Sequence, residues 1–385
     1  MGTLKIDGRY TSATVFTTNN SENRIDDYAI AQLQMLCDTE ANEGCPIVVM
    51  PDVHPGKVGT IGLTMTVGKK IMPNIVGIDI GCGMSLAQVK GIVKEFQKLD
   101  TVIRDSVPAG YNIKTKVHHL IENFDFEKLA CRKHIDINRA LLSAGSLGGG
   151  NHFIEIDQDT EKNSYLVVHS GSRHLGKEVT DYYLNAGQKA LKEKEITIPF
   201  ELTYIDDSLM DDYLADLQIV QEYASLSRKI MIDEICKGMK WKILDEYQCV
   251  HNYVDASTDM LALTGAPVLR KGAISAKAGE KVIIPINMRD GIILGTGCGN
   301  QKWNYSAPHG SGRIMKREEI KQKFTLSSFK SAMKGVYSPS ICKETLDEAP
   351  FAYRNIDDIV DVIKDTVTIE NIIRPIYNFK AGGDN

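Results

Sequence analysis

What this chain lacks narrows its class first. No stretch approaches the ~18 consecutive apolar residues that would span a bilayer, and the opening Met1-Gly-Thr-Leu-Lys-Ile6 holds no apolar signal core. Ile6 also stands where a myristoylation signal needs Ser or Thr. The expectation is a cytoplasmic protein with no membrane partner. No C-x-x-C pair occurs among the eight cysteines, Cys37, Cys45, Cys82, Cys131, Cys236, Cys249, Cys298 and Cys342. In 385 residues that scatter suits a reducing compartment, with thiols buried or metal-binding instead of bridged. No Gly/Ser or Pro-rich linker, low-complexity tract or internal repeat divides the sequence. Walker A and H-E-x-x-H motifs are absent, and Gly295-Thr-Gly-Cys-Gly299 is only a near miss of a dinucleotide fingerprint. Basic residues are no excess either: 45 against 50 acidic ones leave a net charge of −5. That excludes a surface coated in positive charge, though not a local basic cleft.

What is present is ordinary for a globule with a sizeable core, 43% hydrophobic and 25% charged residues. Length alone allows two or three domains of about 150 residues, or one large one. Residues 27–41 place Ala29, Leu33, Leu36 and Cys37 on one helical face, and 211–237 repeat apolar residues at spacings of three, four and seven. Ile356–Val367 predicts a further helix. Between these lie short β-rich runs that end in Gly-rich turns. Pro46–Met50 runs into Pro51-Asp-Val-His-Pro-Gly56, Ile75–Ile78 into Asp79-Ile-Gly-Cys-Gly83, and Tyr165–Val168 into His169-Ser-Gly-Ser-Arg173. Lys281–Pro285 is another strand candidate. A site assembled from so many distant loops argues for one large domain covering 1–385.

Five of the nine histidines, His54, His152, His169, His251 and His309, are expected in such loops. With Asp79 and Cys82 three apart in a turn, they offer a mixed O/S/N ligand set for a divalent transition metal, and a thiolate can bridge two ions. Zinc, manganese, iron and cobalt are not separable by composition. Cys37, Cys45, Cys131, Cys236, Cys249 and Cys342 read as small buried hydrophobes. Gly148-Gly-Gly-Asn-His152 and His309-Gly-Ser-Gly-Arg313 have the form of phosphate-cradling turns, with Arg173 and Arg313 able to fork onto phosphate. Lys5-Ile-Asp-Gly8 matches the short element of lysine-dependent nucleotidyl ligases, but four residues this near the terminus read as a strand and turn.

Taken together the loops resemble the RtcB family of RNA ligases. The segments that carry the likeness are Met50–Lys57, Val76–Met84, Gly149–Glu155, His169–Arg173, His251–Tyr253, Arg270–Ala273 and His309–Arg313, in the family's order and across nearly the whole chain. The resemblance implies a single α+β domain, with β-sheets and surrounding helices around a deep metal and nucleotide cleft. It implies a ligase that uses GTP and two Mn²⁺ ions to join RNA 3′-phosphate or 2′,3′-cyclic phosphate ends to 5′-hydroxyl ends, in tRNA splicing or RNA repair. An activating accessory protein is a further partner that such a ligase can require. By position, Asp79, Cys82 and His152 would hold one manganese, and Cys82, His169 and His251 the other. His309 would take GMP covalently. Asn151, His152, Phe153, Ile154, Glu155, His251, Asn252, Gly310, Ser311, Gly312 and Lys380 match nucleotide contacts, with Glu155 at the guanine edge.

Departures point to a divergent paralogue. Ile286-Asn-Met-Arg-Asp-Gly-Ile292 replaces the usual Gly-Ser-Met-Gly, and Arg289 offers a different phosphate contact. Ser311 replaces a usual alanine. His174 stands where glycine is common, as an extra ligand or an exposed ring. Arg313, Lys316, Arg317, Lys321 and Lys323 could supply part of a track for RNA, but with Glu318 and Glu319 interleaved they read equally as a solvated helix face. Two other readings share the ligand set: a binuclear-metal phosphoesterase, and a metal-stabilised RNA-binding paralogue without catalysis. His309 in its Gly-Ser-Gly-Arg setting favours the ligase, since hydrolysis does not require it.

Overall fold

Alternating strands that end at Gly-rich turns pair into two large sheets in the computed structural model, which describes residues 2–17, 25–91 and 93–382; Met1, part of the opening stretch read above, lies outside them. The first sheet has six strands in the spatial order Gly2–Asp7, Ser12–Thr17, Ile47–Pro55, Thr60–Thr66, Val268–Lys271 and Asn252–Asp255. The second has seven, in the order Ile243–Val250, Gly83–Val89, Ser164–Ser170, Phe153–Gln158, Val367–Phe379, Gly291–Gly297 and Lys281–Asn287. Its neighbouring strands are all antiparallel. Helices surround both sheets, and the α+β architecture is the expected one.

The second sheet is covered on both faces, and apolar side chains from its central strands pack on each. On one face Ile154, Ile156, Leu166 and Val168 pack against Leu99, Ile103, Met231 and Ile235. On the other, Phe153 and Val167 pack with Ile283, Ile292 and Ile293. The period of two along Phe153–Gln158 therefore decides which side chains can reach the cleft.

Two expected helices form with shifted ends. The first runs Asp27–Cys37, opened by the Asp26 carboxylate accepting from the Tyr28 amide, and it stops short of residue 41. There the Asn42 side chain donates to the Leu36 carbonyl and closes the end. The second extends to 33 residues, Asp207–Met239, with Lys240 in the left-handed conformation at its end. The C-terminal helix is Ile356–Ile363, and a strand begins at Val367.

Ile75–Ile78 is not a strand: Pro73 at the first helical position makes Pro73–Val76 a short helix. Cys342 is half-buried and Cys298 exposed, so the buried-thiol reading fails at Cys342. Lys5 lies on an exposed edge strand, paired with Asp7 at 2.8 Å, as a strand-and-turn element. No helix among the described residues is long and apolar enough to cross a membrane.

Candidate active site

Antiparallel pairing brings four strand ends together at one edge of the second sheet. His251 follows Ile243–Val250, Cys82 precedes Gly83–Val89, His169 lies near the end of Ser164–Ser170, and His152 precedes Phe153–Gln158. Register aligns them, with Val250 opposite Gly83, Met84 opposite His169 and Phe153 opposite His169. Adjacent strands lie about 4.8 Å apart, which sets four donor groups in a row at metal-site spacing. Cys82 Sγ is 3.3 Å from both His152 Nε2 and His169 Nε2, and His169 Nε2 is 3.3 Å from His251 Nε2. Asp79 joins the row through Oδ2, 3.1 Å from His152 Nε2.

The protonation pattern fits a cation. His169 Nδ1 faces the Asn151 carbonyl at 3.2 Å and must donate to it, so Nε2 turns a lone pair inward. Burial, and then the neighbouring imidazoles and other cations, hold His169 and His251 well below the usual histidine range, in the neutral form that ligates metals. Burial works against the charge on Asp79, but His152 outweighs it and holds the carboxyl at about 2. Burial and Asp79 push the Cys82 thiol up. Inward-facing lone pairs and a sulfur in one buried pocket, with the half-buried Asp79 carboxylate beside them, lack a positive charge at their centre, which a metal ion would supply. Glycine makes the close approaches possible. A Cβ on Gly171 would sit 1.9 Å from Asp79 Oδ1, and one on Gly148 would sit 2.1 Å from His152 Nδ1.

Behind the row stands Arg228, fully buried on the helix Asp207–Met239. It donates to the carbonyls of Gly81 and Ser170, to Ser85 Oγ and to Gln248 Oε1. Two of those carbonyls adjoin Cys82 and His169, so the guanidinium fixes the strand ends that carry them. Nothing in the helical periodicity marks it.

His309 follows the strand Ser306–Pro308, and its ring centre is 5.0 Å from that of His251. Its Nδ1 is 2.8 Å from Oδ2 of Asp52, a carboxylate buried in the other sheet. The strand Ile47–Pro55 is irregular between Val49 and His54, and that break aims Asp52 inward. With Nδ1 donating to Asp52, Nε2 is the atom of His309 left for chemistry. His54 and His169 lie within strands, not in loops, because the strands run one or more residues past the apolar stretch.

A cleft opens beside this pair, lined among others by Asn151, Phe153, Glu155, His309, Gly310, Ser311, Gly312 and Lys380. Ile154 points to the opposite face of its strand, into the core. His152 and His251 belong to the row of donors. Asn252 is spent on the loop that bears Asp79: its Nδ2 donates to the Asp79 carbonyl and its Oδ1 accepts from the Gly272 amide. The Ser311 hydroxyl donates to the Ile286 carbonyl, so this turn offers the cleft its backbone.

Several expectations resolve differently. Arg289 forks onto Asp290, at 2.8 and 3.0 Å, and does not line the cleft. His174 lies 3.3 Å from Glu178 and apart from the donor row. Arg313, Arg317 and Lys321 are drawn to Asp347 and Glu348, and Lys323 to Glu319, so little of the basic run 313–323 is left as an open track.

Sequence reasoning did not single out Glu348, Asn378, Tyr353 or Arg228. Glu348 is buried at the cleft wall, where Lys380 and Arg317 overcome the cost of burial and hold its carboxyl at about 2. Lys380 Nζ bridges Glu348 and the Asn151 carbonyl at 3.3 and 3.2 Å.

The family model described as tRNA-splicing ligase RtcB matches residues 37–135 and 123–381. The RNA-splicing ligase RtcB of Escherichia coli strain K12 is 30% identical over 372 residues, covering 87% of this chain and 90% of that protein. RNA-splicing ligase RtcB2 of another Escherichia coli strain is 29% identical over 405 residues, covering 97% of each chain. The tRNA-splicing ligase RtcB of Archaeoglobus fulgidus is 27% identical over 408 residues, covering 82% of this chain and 83% of its own.

Proposed function

The chain belongs to the RtcB family, and on that premise we propose that it is a GTP- and Mn²⁺-dependent RNA ligase acting through a guanylylated His309. It seals 3′-phosphate or 2′,3′-cyclic phosphate ends to 5′-hydroxyl ends, in tRNA splicing or RNA repair, with residues 1–385 as one catalytic unit. The observation that carries this reading is the Asp52–His309 contact of 2.8 Å beside the buried donor row.

Asp79, Cys82 and His152 would hold one cation, and Cys82, His169 and His251 the second. Divalent cations held by these residues would supply positive charge to phosphate oxygens and to the leaving pyrophosphate. His309 Nε2 attacks the α-phosphorus of GTP; an N–P bond forms, and the P–O bond to pyrophosphate breaks. The imidazole becomes cationic as it does so, and the Asp52 carboxylate, holding the Nδ1 proton, offsets that charge. An oxygen of the RNA 3′-phosphate then takes GMP from His309, which recovers its lone pair. The 5′-hydroxyl of the second fragment displaces GMP and closes the strand. Phe153, Glu155 and Lys380 would hold the nucleotide in the cleft, with the Gly310–Gly312 backbone toward its phosphates.

Incubation with α-labelled GTP and Mn²⁺, followed by denaturing electrophoresis, tests the reading. An acid-labile, alkali-stable labelled band is expected, absent in His309→Ala and unaffected by Lys5→Ala. Label persisting in His309→Ala, or phosphate released from RNA ends with no joined product, would contradict it.

A separate groove beside the donor row would admit the RNA. It borders Asp79 and His152 and is lined by Arg139, Arg173, Lys177 and the fully exposed Tyr111. A fully exposed tyrosine beside cationic side chains suits a stacked nucleobase. Tyr111→Ala should raise the KM for RNA in sealing by about tenfold, the typical worth of one base–aromatic stack. Its labelling by GTP should be unchanged.

A further inference from the structure

Two carboxyl side chains occupy one face of the strand Phe153–Gln158. Glu155 lines the cleft, and Asp157, two residues on, points to the same side and lies deeper. They are 2% and 0% exposed. Glu155 has partners: Asn378 Nδ2 donates to it, and Lys380, itself paired with Glu348, acts on its charge. Asp157 has no such support. Neither of its oxygens meets a donor from another described residue, and Glu155 is the only charged group found acting on it. Across the sheet it faces Tyr165 and Pro375. The Tyr165 hydroxyl is committed to Asp159, and proline has no N–H to give. Two ionised carboxylates side by side in such surroundings would be strongly disfavoured. The two side chains stand two residues apart on one buried strand face, so a single proton shared between them would satisfy both.

We propose that Asp157 keeps a proton and donates a hydrogen bond from it to Glu155, fixing Glu155 as an ionised acceptor for the nucleotide base. The proposal rests on the reading of Glu155 as the contact to a guanine edge. Guanine presents two donors there, N1–H and the exocyclic amine, and an ionised carboxylate accepts both. A protonated Glu155 accepts only one, and it suits adenine, which pairs a donor with an acceptor. Asp157 is a positioning residue: it sets base selectivity through Glu155 without touching the nucleotide.

The pH dependence has a definite sign. Burial raises Glu155 to about 7, against Asn378, Asp157 and Lys380, which pull it down. Above that value Glu155 is ionised and guanine is preferred. Below it the preference falls, by up to about tenfold per pH unit for one proton. Burial and Glu155 push Asp157 itself well above the ordinary carboxyl range, so its proton stays through neutrality.

The test compares wild type, Asp157→Asn and Asp157→Leu as Mn²⁺-loaded proteins. Infrared difference spectra of wild type minus Asp157→Asn, above neutral pH, should contain a protonated-carboxyl band. Affinities for GTP and ATP are then measured against pH, and their ratio cancels effects on the phosphates and the metals. Asparagine keeps a donor to Glu155, so the Asn variant should retain the wild-type ratio and its acid limb. Leucine offers none, so the limb should move up by about one pH unit, and the ratio near neutrality should fall by about tenfold. If the Leu variant does not fold, the infrared band and the Asn variant still decide. No protonated-carboxyl band, or an unchanged ratio in a folded Leu variant, overturns the proposal while GTP labelling of His309 stands. Wild type that shows the band but does not prefer GTP over ATP overturns the guanine reading of Glu155, and the role of Asp157 with it.

Discussion

Cys82→Ala protein is expected to bind neither cation and to take no label from GTP. Its sulfur sits between two imidazole nitrogens, 3.3 Å from each, and only Asp79 beside it in the row can carry a negative charge as a ligand. A thiolate shared by two divalent ions lowers the repulsion between them, a term that scales inversely with distance and is large where water is excluded. Without it one carboxylate and three neutral imidazoles would face two dications. The substitution removes a single atom from a buried position whose strand pairing is backbone-only, so the fold should survive. Metal content after dialysis and the GTP-labelled band are the two readouts. Loss of manganese affinity should exceed the 10- to 100-fold that weaker, outer contacts to a metal site typically cost. Normal manganese content in folded Cys82→Ala would refute the bridging role.

Most members of that row are legible because Asp79, Cys82, His152 and His169 lie where an apolar run meets a glycine turn, whereas His251 stands beside Asn252 with no glycine near it. His152, His169 and His251 are within three residues of strand termini, and period-two alternation makes such termini visible. What the sequence hid was adjacency. Asp52 stands in a motif that was noticed for His54, yet its partner His309 is 257 residues away, brought close by pairing between sheets and not by any local pattern. The helix Arg173–Glu193 also escaped notice. Its buried face includes Gly176, Thr180 and Gly187, where Gly176 lets the Ile78 carbonyl come close and Gly187 lets Ile205 and Thr203 do so, so its apolar stripe is diluted just where it packs. The run 313–323 carries two readings in the sequence, part of a track for RNA or a solvated helix face, and its partners decide between them only in the fold. Asp347 and Glu348, some 30 residues on, fold back against it.

Arg228→Met should be among the most destabilising single changes in the chain, and it should loosen the metal site as well. The guanidinium is 0% exposed and makes four hydrogen bonds, at 2.8 to 3.1 Å. Burial lowers its pKa to about 10, so it stays charged at neutral pH, with the ionised Asp79 nearby to favour the charge. Methionine matches the length of the stem but leaves the carbonyls of Gly81 and Ser170 without a donor. Each buried acceptor left unsatisfied costs about 1–3 kcal/mol, so a net loss of about 3 kcal/mol is expected in urea titration, even after crediting the removal of a buried charge. The same carbonyls hold the backbone beside Cys82 and His169, so manganese affinity should fall by about 10- to 100-fold, as when an outer partner of a metal ligand is lost. Arg228→Lys separates the two effects. One ammonium restores the charge opposite the thiolate but cannot span all four acceptors, so it should recover more of the metal affinity than of the stability. A methionine variant with wild-type urea midpoint and manganese content would mean that the strand ends are held by sheet pairing alone.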